Sequence, residues 1–293
     1  MAIAISESHT VDTDHESIRI QDYGPGIFTS AFTKSALKKA LKKGLIFVNG
    51  VSATSATFVK NGDLIEYKVE DNPSPQKAFR LHLSVLYQDD HIAVVHKPAG
   101  LLVSGNSFKT LANALEANLK PSAAADAVKP QPAHRIDFAT TGTVLIGKTA
   151  SALRNLNAAF EEKTIQKKYL AVTPGSMPMQ GLIDSEVDGK RAESHFRVVQ
   201  SVPSERFGQL NLLSLEPKTG RRHQLRIHLA EKGHAILGDR DYSSKEGLLK
   251  GKGMYLHAYS LAFDHPNSGE QIQVVDPQIE RFLKIFPDCL EYL

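Results

Sequence analysis

The sequence has little cysteine and no long apolar run. Its 293 residues contain one cysteine, and a single thiol cannot form an internal disulfide, which is typical of proteins from a reducing compartment. No stretch approaches the ~20 apolar residues of a membrane-spanning helix. The polar, acidic N-terminus lacks the basic and apolar segments of a signal peptide. We therefore expect a cytoplasmic protein in which Cys289 is a packed or idle thiol.

Patterns that hold metals or phosphates are missing as well. The twelve histidines include His223, His228 and His234, but no HExxH motif or close carboxylate pair accompanies them, and neighbouring arginines would oppose a cation. The Gly-x-Gly sequences beginning at Gly24 and Gly251 do not lie between a strand and a helix, as a phosphate-binding loop requires. The sequence therefore predicts no metal and no cofactor.

The charge of the chain is nearly balanced overall but uneven along its length. A formal net charge of +3 is too small to indicate a polyanionic partner. Between Tyr23 and Asn61, however, there is no acidic residue, and a local basic patch of this kind is typical of nucleic-acid binding. A solvated helix face has the same composition, so the patch alone leaves both interpretations open. Its lysines are Lys34, Lys38, Lys39, Lys42, Lys43 and Lys60.

Residues 17–75 have the pattern of a small compact module. The segment TKSALKKALKKG places its leucines and alanines on one face, which predicts an amphipathic helix. The segments LIFVNG and VKNGDLIEY follow it, and Asn49-Gly50 is a strong hairpin signal. We predict a small α/β module here, preceded by a disordered N-terminus over residues 1–16.

A proline-rich stretch separates this module from the rest of the chain. The segment EDNPSPQKAF, residues 70–79, indicates a linker. Beyond it, residues 80–293 alternate strand-like segments with helices or loops, and two strands flank an Asp89-Asp90 turn. The small residues and prolines of KPSAAADAVKPQP predict a surface loop. We predict an α+β fold for this second domain, with a large, mixed and mostly antiparallel sheet.

One segment of the second domain, AHRIDFATTGTVLIGKT, has an arginine and an aspartate two residues apart. If the segment is a strand, Arg135 and Asp137 point the same way, on either side of Ile136. A Thr-Thr-Gly turn then leads into a buried strand over residues 144–146. By itself the pair is also compatible with a surface ion pair beside a turn.

Three further segments combine polar side chains with strand-like patterns. In KTIQKKYLAV, Tyr169 follows two lysines at the start of a strand, where most tyrosines belong to the core. LEPKTGRRHQLRIHLAEKGHAILGDRDY crowds arginines and histidines into a predicted turn and strand. YLHAYSLAFDHP has histidines near each end. None of these segments indicates a particular reaction by itself.

Taken together and in this order, the segments resemble the RluA-type pseudouridine synthases. The resemblance rests on H-R-I-D-x-x-T-T-G, K-K-Y-L-A-V, P-K-T-G-R-R-H-Q-L-R-I-H-L, G-H-A-I-L-G-D-x-x-Y and L-H-A-x-x-L-x-F-x-H-P, with Y-Q-D-D-H-I-A-V-V-H-K-P-A-G-L before them. It runs from about Leu81 to Pro266. Thr141 departs mildly from the family, which usually has serine there, and Phe138 stands where a polar or basic residue is frequent.

The first module resembles a known RNA-binding module too. Its serine-lysine helix, followed by G-L-I-F-V-N-G and N-G-D-L-I, is similar to the αL module of a small-subunit ribosomal protein and of several RNA-modifying enzymes. The arginine-rich opening of that module is thin here, with Arg19 alone. The resemblance implies that this part of the chain binds RNA.

The resemblance of the second domain implies an isomerisation of uridine within RNA to its carbon-linked isomer, without a cofactor. Asp137 is the implied catalytic carboxylate, and both attack on the anomeric carbon and removal of a ribose proton are open. Arg226 is its implied cationic partner. Leu225 would pack against the uracil, and Tyr169 would stack near the base and move the proton from carbon 5.

The same resemblance implies that the target base is flipped out of its stack. Arg135 would fill the gap that the base leaves, and His134 would contact the same RNA backbone. Phosphate contacts are expected from Arg221, Arg222, Lys38 and Lys42.

Two other classes of function compete with this interpretation. Plain RNA binding uses the basic module but gives no reason for the combination of Asp137, Tyr169 and Arg226. A hydrolase would need a second catalytic carboxylate or a serine elbow, and the sequence offers neither. We expect a structured RNA as substrate, ribosomal RNA before transfer RNA, and a monomer without an obligate protein partner.

Overall fold

The computed structural model divides the chain into two compact units, Met1–Lys77 and Ala78–Leu293. It describes residues 3–28, 31, 34–70, 79–244, 247, 249, 251 and 253–293. Most of the predicted linker lies outside the described residues, as does the predicted end of the module at residue 75.

The first unit contains a four-stranded sheet in the order β1-β6-β3-β4 and a separate pair, β2-β5. The prediction of disorder is wrong for the first strand, which pairs antiparallel with β6 from Ile3 opposite Glu70 to Thr10 opposite Leu64. The strand is held by this backbone ladder, and the polar residues of the N-terminus give no local signal that predicts it. The elements are β1 (Ile3–Thr10), β2 (Ile18–Arg19), α1 (Ile20–Tyr23), α2 (Lys34–Lys42), β3 (Ile46–Val48), β4 (Val51–Ser52), β5 (Phe58–Val59) and β6 (Leu64–Glu70).

The predicted helix and hairpin of this unit are confirmed. Helix α2 buries Leu37, Ala40 and Leu41 and leaves its lysines exposed. Between β3 and β4 the backbone takes positive φ at Asn49 (48°) and Gly50 (80°), as the mirror-image hairpin turn requires.

The second unit is built on a ten-stranded sheet in the order β12-β13-β14-β11-β15-β10-β8-β7, with β16 beside β15 and β9 beside β10. Among the described strands, β10 and β15 form the one parallel pair, so the prediction of a mostly antiparallel sheet is confirmed. The strands are β7 (Val85–Gln88), β8 (Ile92–Lys97), β9 (Ala127–Pro132), β10 (Thr141–Thr149), β11 (Gln166–Pro174), β12 (Gln180–Ile183), β13 (Ser194–Ser204), β14 (Gly208–Pro217), β15 (Leu256–Asp264) and β16 (Gln271–Val275).

Short helices connect these strands. They are α3 (Leu111–Ala114), α4 (Ala150–Glu161), α5 (Gln224–Glu231) and α6 (Glu280–Leu283), with 3-10 turns at Leu115–Ala117 and Cys289–Tyr292. Within the parts of the chain that the structure describes, none of the helices is long and apolar enough to cross a membrane. The segment predicted as a surface loop before the H-R-I-D motif ends in β9 instead, because its second half pairs with β10.

The sheet of the second unit is covered on both faces. Alternate residues of β10 point to opposite sides: Val144 and Ile146 pack with Val95 of β8, whereas Leu145 packs with Leu156 of α4. Burial on both faces explains the continuous apolar runs of β8 and β10 in the sequence.

Candidate active site

The H-R-I-D segment lies on the loop between β9 and β10, so the prediction that it belongs to a strand is wrong. Ladder pairing of β9 stops at Pro132, and Thr140 N donates a hydrogen bond to Asp137 O at 3.1 Å, which turns the chain. Arg135 and Asp137 nevertheless line one cavity, as expected of side chains that point the same way. Ile136 between them is buried in the core and lines the cavity as well.

A buried lysine fixes the backbone immediately after Asp137. Lys97 has no exposed surface, and its Nζ donates hydrogen bonds to the carbonyl oxygens of Pro98 (2.8 Å), Leu101 (2.9 Å) and Phe138 (3.3 Å). Burial lowers the pKa of Lys97 to about 8, while the negative charge of Asp137 acts in the opposite direction. The K-P-A-G segment therefore supports the loop, a role that the sequence interpretation did not assign.

His134 ties the same loop to strand β10. Its Nε2 accepts a hydrogen bond from Leu145 N at 3.0 Å, and its ring centroid lies 4.8 Å from that of Phe160. Burial, with a smaller effect of Lys167, lowers the pKa of His134 to about 3, so the ring is neutral at physiological pH. A neutral ring tied to β10 is suited to supporting the loop, and its contact with RNA backbone stays a prediction.

The arginine- and histidine-rich segment forms helix α5 where a strand was predicted. Leu225, Ile227 and Leu229 alternate in the sequence, and this spacing of two imitates a strand. In the structure the buried positions follow helical spacing instead. They are Gln224, Leu225, Arg226, His228 and Leu229.

Gln224 fixes the start of α5 and was missed by the sequence interpretation. Its Oε1 accepts hydrogen bonds from Thr219 Oγ1 (2.7 Å) and Arg221 N (3.0 Å). Its Nε2 donates to Glu193 O and Ser194 Oγ, both at 2.9 Å. The buried amide thus ties β13 to the turn that precedes the helix.

Arg226 contacts three carboxylates. Its Nε and Nη2 donate to the two oxygens of Asp239, each at 2.7 Å, and Nη2 also donates to Asp241 Oδ2 at 2.6 Å. Its Nη1 lies 3.5 Å from Asp137 Oδ2. Burial opposes the charge, but the hydrogen bonds of Asp239 and Asp241 outweigh it and raise the pKa of Arg226. The predicted pairing with Asp137 is therefore one contact of a cation that Asp239 orients.

Asp239 is the third residue whose role the sequence interpretation missed. Its side chain is fully buried, and the two parallel hydrogen bonds fix the plane of the guanidinium. The signal was present in the quoted G-D-x-x-Y motif, whose aspartate was left without a role.

Asp137 opens into a cavity of about 280 Å³, just below the ~300–1,000 Å³ of ordinary small-molecule sites. Tyr169 from β11, Leu225 and Arg226 line it too. Burial raises the pKa of Tyr169, and the negative charge of Asp137 adds to the shift. The cavity thus combines a carboxylate, a cation, a neutral phenol and an apolar side chain in a space suited to one nucleoside.

The other predicted site residues fall into three groups. Arg222 lies in a neighbouring hollow with Asp188, His223 and Tyr242. Lys38 and Lys42 belong to the first unit, where both are exposed. The cavity itself is lined by His134, Arg135 and Arg221. Across the residues that the structure describes, His, Cys, Asp and Glu side chains form no group of three suited to a metal.

Comparison with known proteins covers this site. The family model described as RNA pseudouridylate synthase matches residues 91–231, the range that contains the H-R-I-D loop, Tyr169 and α5. Ribosomal large subunit pseudouridine synthase D of Vibrio cholerae is 31% identical over 99% of this chain and 98% of its own length. Ribosomal large subunit pseudouridine synthase C of Vibrio parahaemolyticus is 31% identical over 86% of this chain and 87% of its own.

A solved structure shares the fold. Human RNA pseudouridylate synthase domain containing 4 aligns with a TM-score of 0.54 and 25% identity, over 72% of this chain and 92% of the human one.

Proposed function

Because the chain belongs to the RNA pseudouridylate synthase family, we propose that it converts specific uridines of ribosomal RNA to pseudouridine with Asp137 as the catalytic carboxylate. Pseudouridine synthase activity on RNA comes with the family and makes the chain an isomerase. The role of Asp137 is supported by its position: it shares one cavity with Tyr169 and Leu225 and lies 3.5 Å from Arg226. Non-catalytic RNA binding gives no account of that arrangement.

The reaction breaks the bond from N1 of uracil to C1′ of the ribose, turns the base and joins C5 to C1′. In our proposal the ionised Asp137 acts at the sugar, either by attacking C1′ or by removing a ribose proton. Arg226 Nη1 lies 3.5 Å from Asp137 Oδ2, where it would pair with the carboxylate. Since Asp239 already orients the guanidinium, little reorganisation is needed when the substrate binds.

We assign the base itself to Tyr169 and Leu225, between which the uracil would stack and turn. Because its pKa is raised, Tyr169 enters the reaction as a neutral phenol. A neutral phenol can take the C5 proton only as it releases its own, which would leave for solvent.

The remaining roles concern the RNA around the target. Arg135 is exposed at the mouth of the cavity, where its planar guanidinium would fill the gap left by the flipped base. His134 supports that loop and would approach the same backbone. Phosphate contacts are proposed for Arg221, Arg222, Lys38 and Lys42.

Two observations favour ribosomal RNA over transfer RNA. The two relatives from Vibrio are named for the large ribosomal subunit. The first unit also presents a row of exposed lysines on α2, as expected of a module that binds a large structured RNA through its phosphates.

The test of the substrate is a map of pseudouridines in total RNA from cells that lack the protein. We expect sites in the large-subunit ribosomal RNA to be lost, to return with the wild-type chain and not to return with Asp137→Asn. The purified protein should modify a transcript of the same ribosomal region. Loss confined to transfer RNA would contradict the proposal.

A further inference from the structure

Two side chains of the cavity have polar groups without a partner. Lys167 lines the cavity two residues before Tyr169 on β11. Its ammonium forms neither a hydrogen bond nor an ion pair with any residue that the structure describes. Thr140, from the turn that begins at Asp137, is 1% exposed, and its buried Oγ1 has no hydrogen-bond partner among the described residues.

Such groups are unfavourable unless a ligand satisfies them. An unsatisfied buried donor or acceptor destabilises the fold, and a partly buried cation does so more strongly unless an anion or acceptor accompanies it. Lys97 shows the satisfied case in the same unit, since its ammonium donates to three carbonyl oxygens. Burial lowers the pKa of Lys167, with a smaller effect of Lys163. A ligand with oxygen acceptors would satisfy both Lys167 and Thr140.

We propose that Lys167 and Thr140 bind the carbonyl oxygens of the target uracil, and that Lys167 stabilises the negative charge of the base after it leaves the ribose. This inference rests on the proposed function, because it takes uridine to be the nucleoside that enters the cavity. It assigns to Lys167 a catalytic contact that neither Asp137 nor Tyr169 supplies.

The charge to be stabilised follows from the reaction. When the N1–C1′ bond breaks, its electron pair stays with the base, and the uracil anion shares the charge among N1, O2 and O4. After rotation a pair from this anion forms the C5–C1′ bond, C5 loses its proton and N1 gains one. Lys167 only donates a hydrogen bond to O2 or O4, so it acts as an oxyanion donor does.

A phosphate of the RNA is the competing occupant, because Lys167 also borders a basic hollow with Lys163, Lys168 and Lys218. The position of Thr140 favours the uracil base over a phosphate as the occupant. It lines the cavity with Asp137 and is nearly completely buried, out of reach of a backbone that runs along the surface.

The experiment compares uridine with 5-fluorouridine at the same position of the substrate RNA. Fluorine withdraws electrons and stabilises the uracil anion, so the loss of a cation should matter less. For Lys167→Gln we expect the single-turnover rate at saturating RNA to fall about 100-fold on uridine and only about tenfold on 5-fluorouridine. The rate is read from the loss of the N-linked nucleoside by nuclease digestion and mass spectrometry. RNA affinity and its salt dependence should stay the same.

The matched control is Lys168→Gln, which removes the neighbouring lysine and should leave both rates unchanged. Thr140→Val provides a second variant of nearly equal shape, with an expected loss of about tenfold on uridine and less on 5-fluorouridine.

Three results would overturn the inference. Equal losses on the two substrates would mean that Lys167 only supports the fold of the site. Weaker RNA binding with a smaller salt slope and an unchanged saturated rate would make it a phosphate contact. A Lys167→Gln protein as fast as wild type would exclude the role directly. Failure of the wild-type chain to modify ribosomal RNA would contradict the proposed substrate instead.

Discussion

The two units use their cations differently. In the first, the lysines of α2 are exposed, and Lys34 pairs with Asp22 at 2.7 Å across a surface where both side chains remain accessible. In the second, Lys97 and Arg226 are buried, and each is surrounded by acceptors. Exposed lysines remain free to meet phosphates, whereas buried cations are committed to holding a loop or a carboxylate.

This difference follows from solvation. A surface cation gives up little hydration on folding, and its pairs are worth about 0–1 kcal/mol. A buried cation is stable only with fixed partners, and removing one member of such a pair costs about 3–5 kcal/mol. Changes at the exposed lysines of the first unit should therefore alter RNA binding, whereas changes at the buried cations of the second should alter folding or the chemical step.

Among the substitutions of cations, the largest effect is expected at Arg226. Arg226→Lys keeps the charge but loses the two parallel hydrogen bonds to Asp239, which an ammonium cannot reproduce. We expect the free energy of unfolding to fall by about 3 kcal/mol and turnover to fall by about 1,000-fold. Chemical denaturation and single-turnover assays measure the two effects.

Arg191→Lys is the surface control for this change. Arg191 Nη2 lies 3.7 Å from Glu193 Oε2, and its side chain is 85% exposed, so stability and turnover should be unchanged. A similar small effect at Arg226 would remove the distinction between the two kinds of cation.

A smaller effect is expected at Lys97. Lys97→Met leaves the carbonyl oxygen of Phe138, next to Asp137, without one of its donors, and we expect about tenfold slower turnover. The turnover of the wild-type protein should also decline above about pH 8, where Lys97 loses its proton, and this decline should be weaker in Lys97→Met.

The stability of the two proteins should differ with pH in a defined direction. The pKa of Lys97 is lowered from 10.5 to about 8 in the folded chain, so the unfolded chain binds the proton more tightly between these values. The group therefore disfavours folding most below about pH 8, and the wild type should gain stability relative to Lys97→Met by about 3 kcal/mol up to pH ~10.5. A difference that is constant from pH 7 to 10 would show that Lys97 is not desolvated.

The smallest effect is expected in the first unit. Replacing both Lys38 and Lys42 by glutamine should weaken RNA binding several-fold and reduce the salt slope by about two, because two fewer counterions are released. The single-turnover rate at saturating RNA and the unfolding transition should not change. The control is Lys129→Gln. Lys129 is an exposed lysine of the second unit that pairs with Glu116. If the Lys38/Lys42 double variant binds RNA as tightly as the Lys129→Gln protein, α2 does not contact phosphates.

The sequence predicted the elements whose patterns are local. The apolar runs of β8 and β10, the amphipathic α2 and the Asn49-Gly50 turn could all be predicted because each depends on residues close in the chain. Strand β1 was not, since its order comes from pairing with β6. Helix α5 was misread because Leu225, Ile227 and Leu229 fit a spacing of two as well as a helix.

Within the site, the sequence interpretation supplied the residue types but not their connections. Asp137, Tyr169, Leu225 and Arg226 were selected through the family resemblance, and all four line the cavity. Asp239, Gln224 and Lys97 were missed because their contribution is a set of specific hydrogen bonds, some to residues close in the chain and some to distant ones. Hydrogen bonds of this kind leave no periodic signal, so the structure was needed to find them.

The proposed isomerisation depends most on Asp137. Asp137→Asn tests this role most directly because the substitution keeps the shape of the side chain and deletes its charge. Pseudouridine formation, RNA affinity and thermal unfolding should be measured on one preparation. We expect a folded protein that binds RNA at least as tightly as the wild type, since a negative charge near the phosphates is gone, and that forms no pseudouridine. Substantial turnover by a folded, RNA-binding Asp137→Asn protein would contradict the assignment.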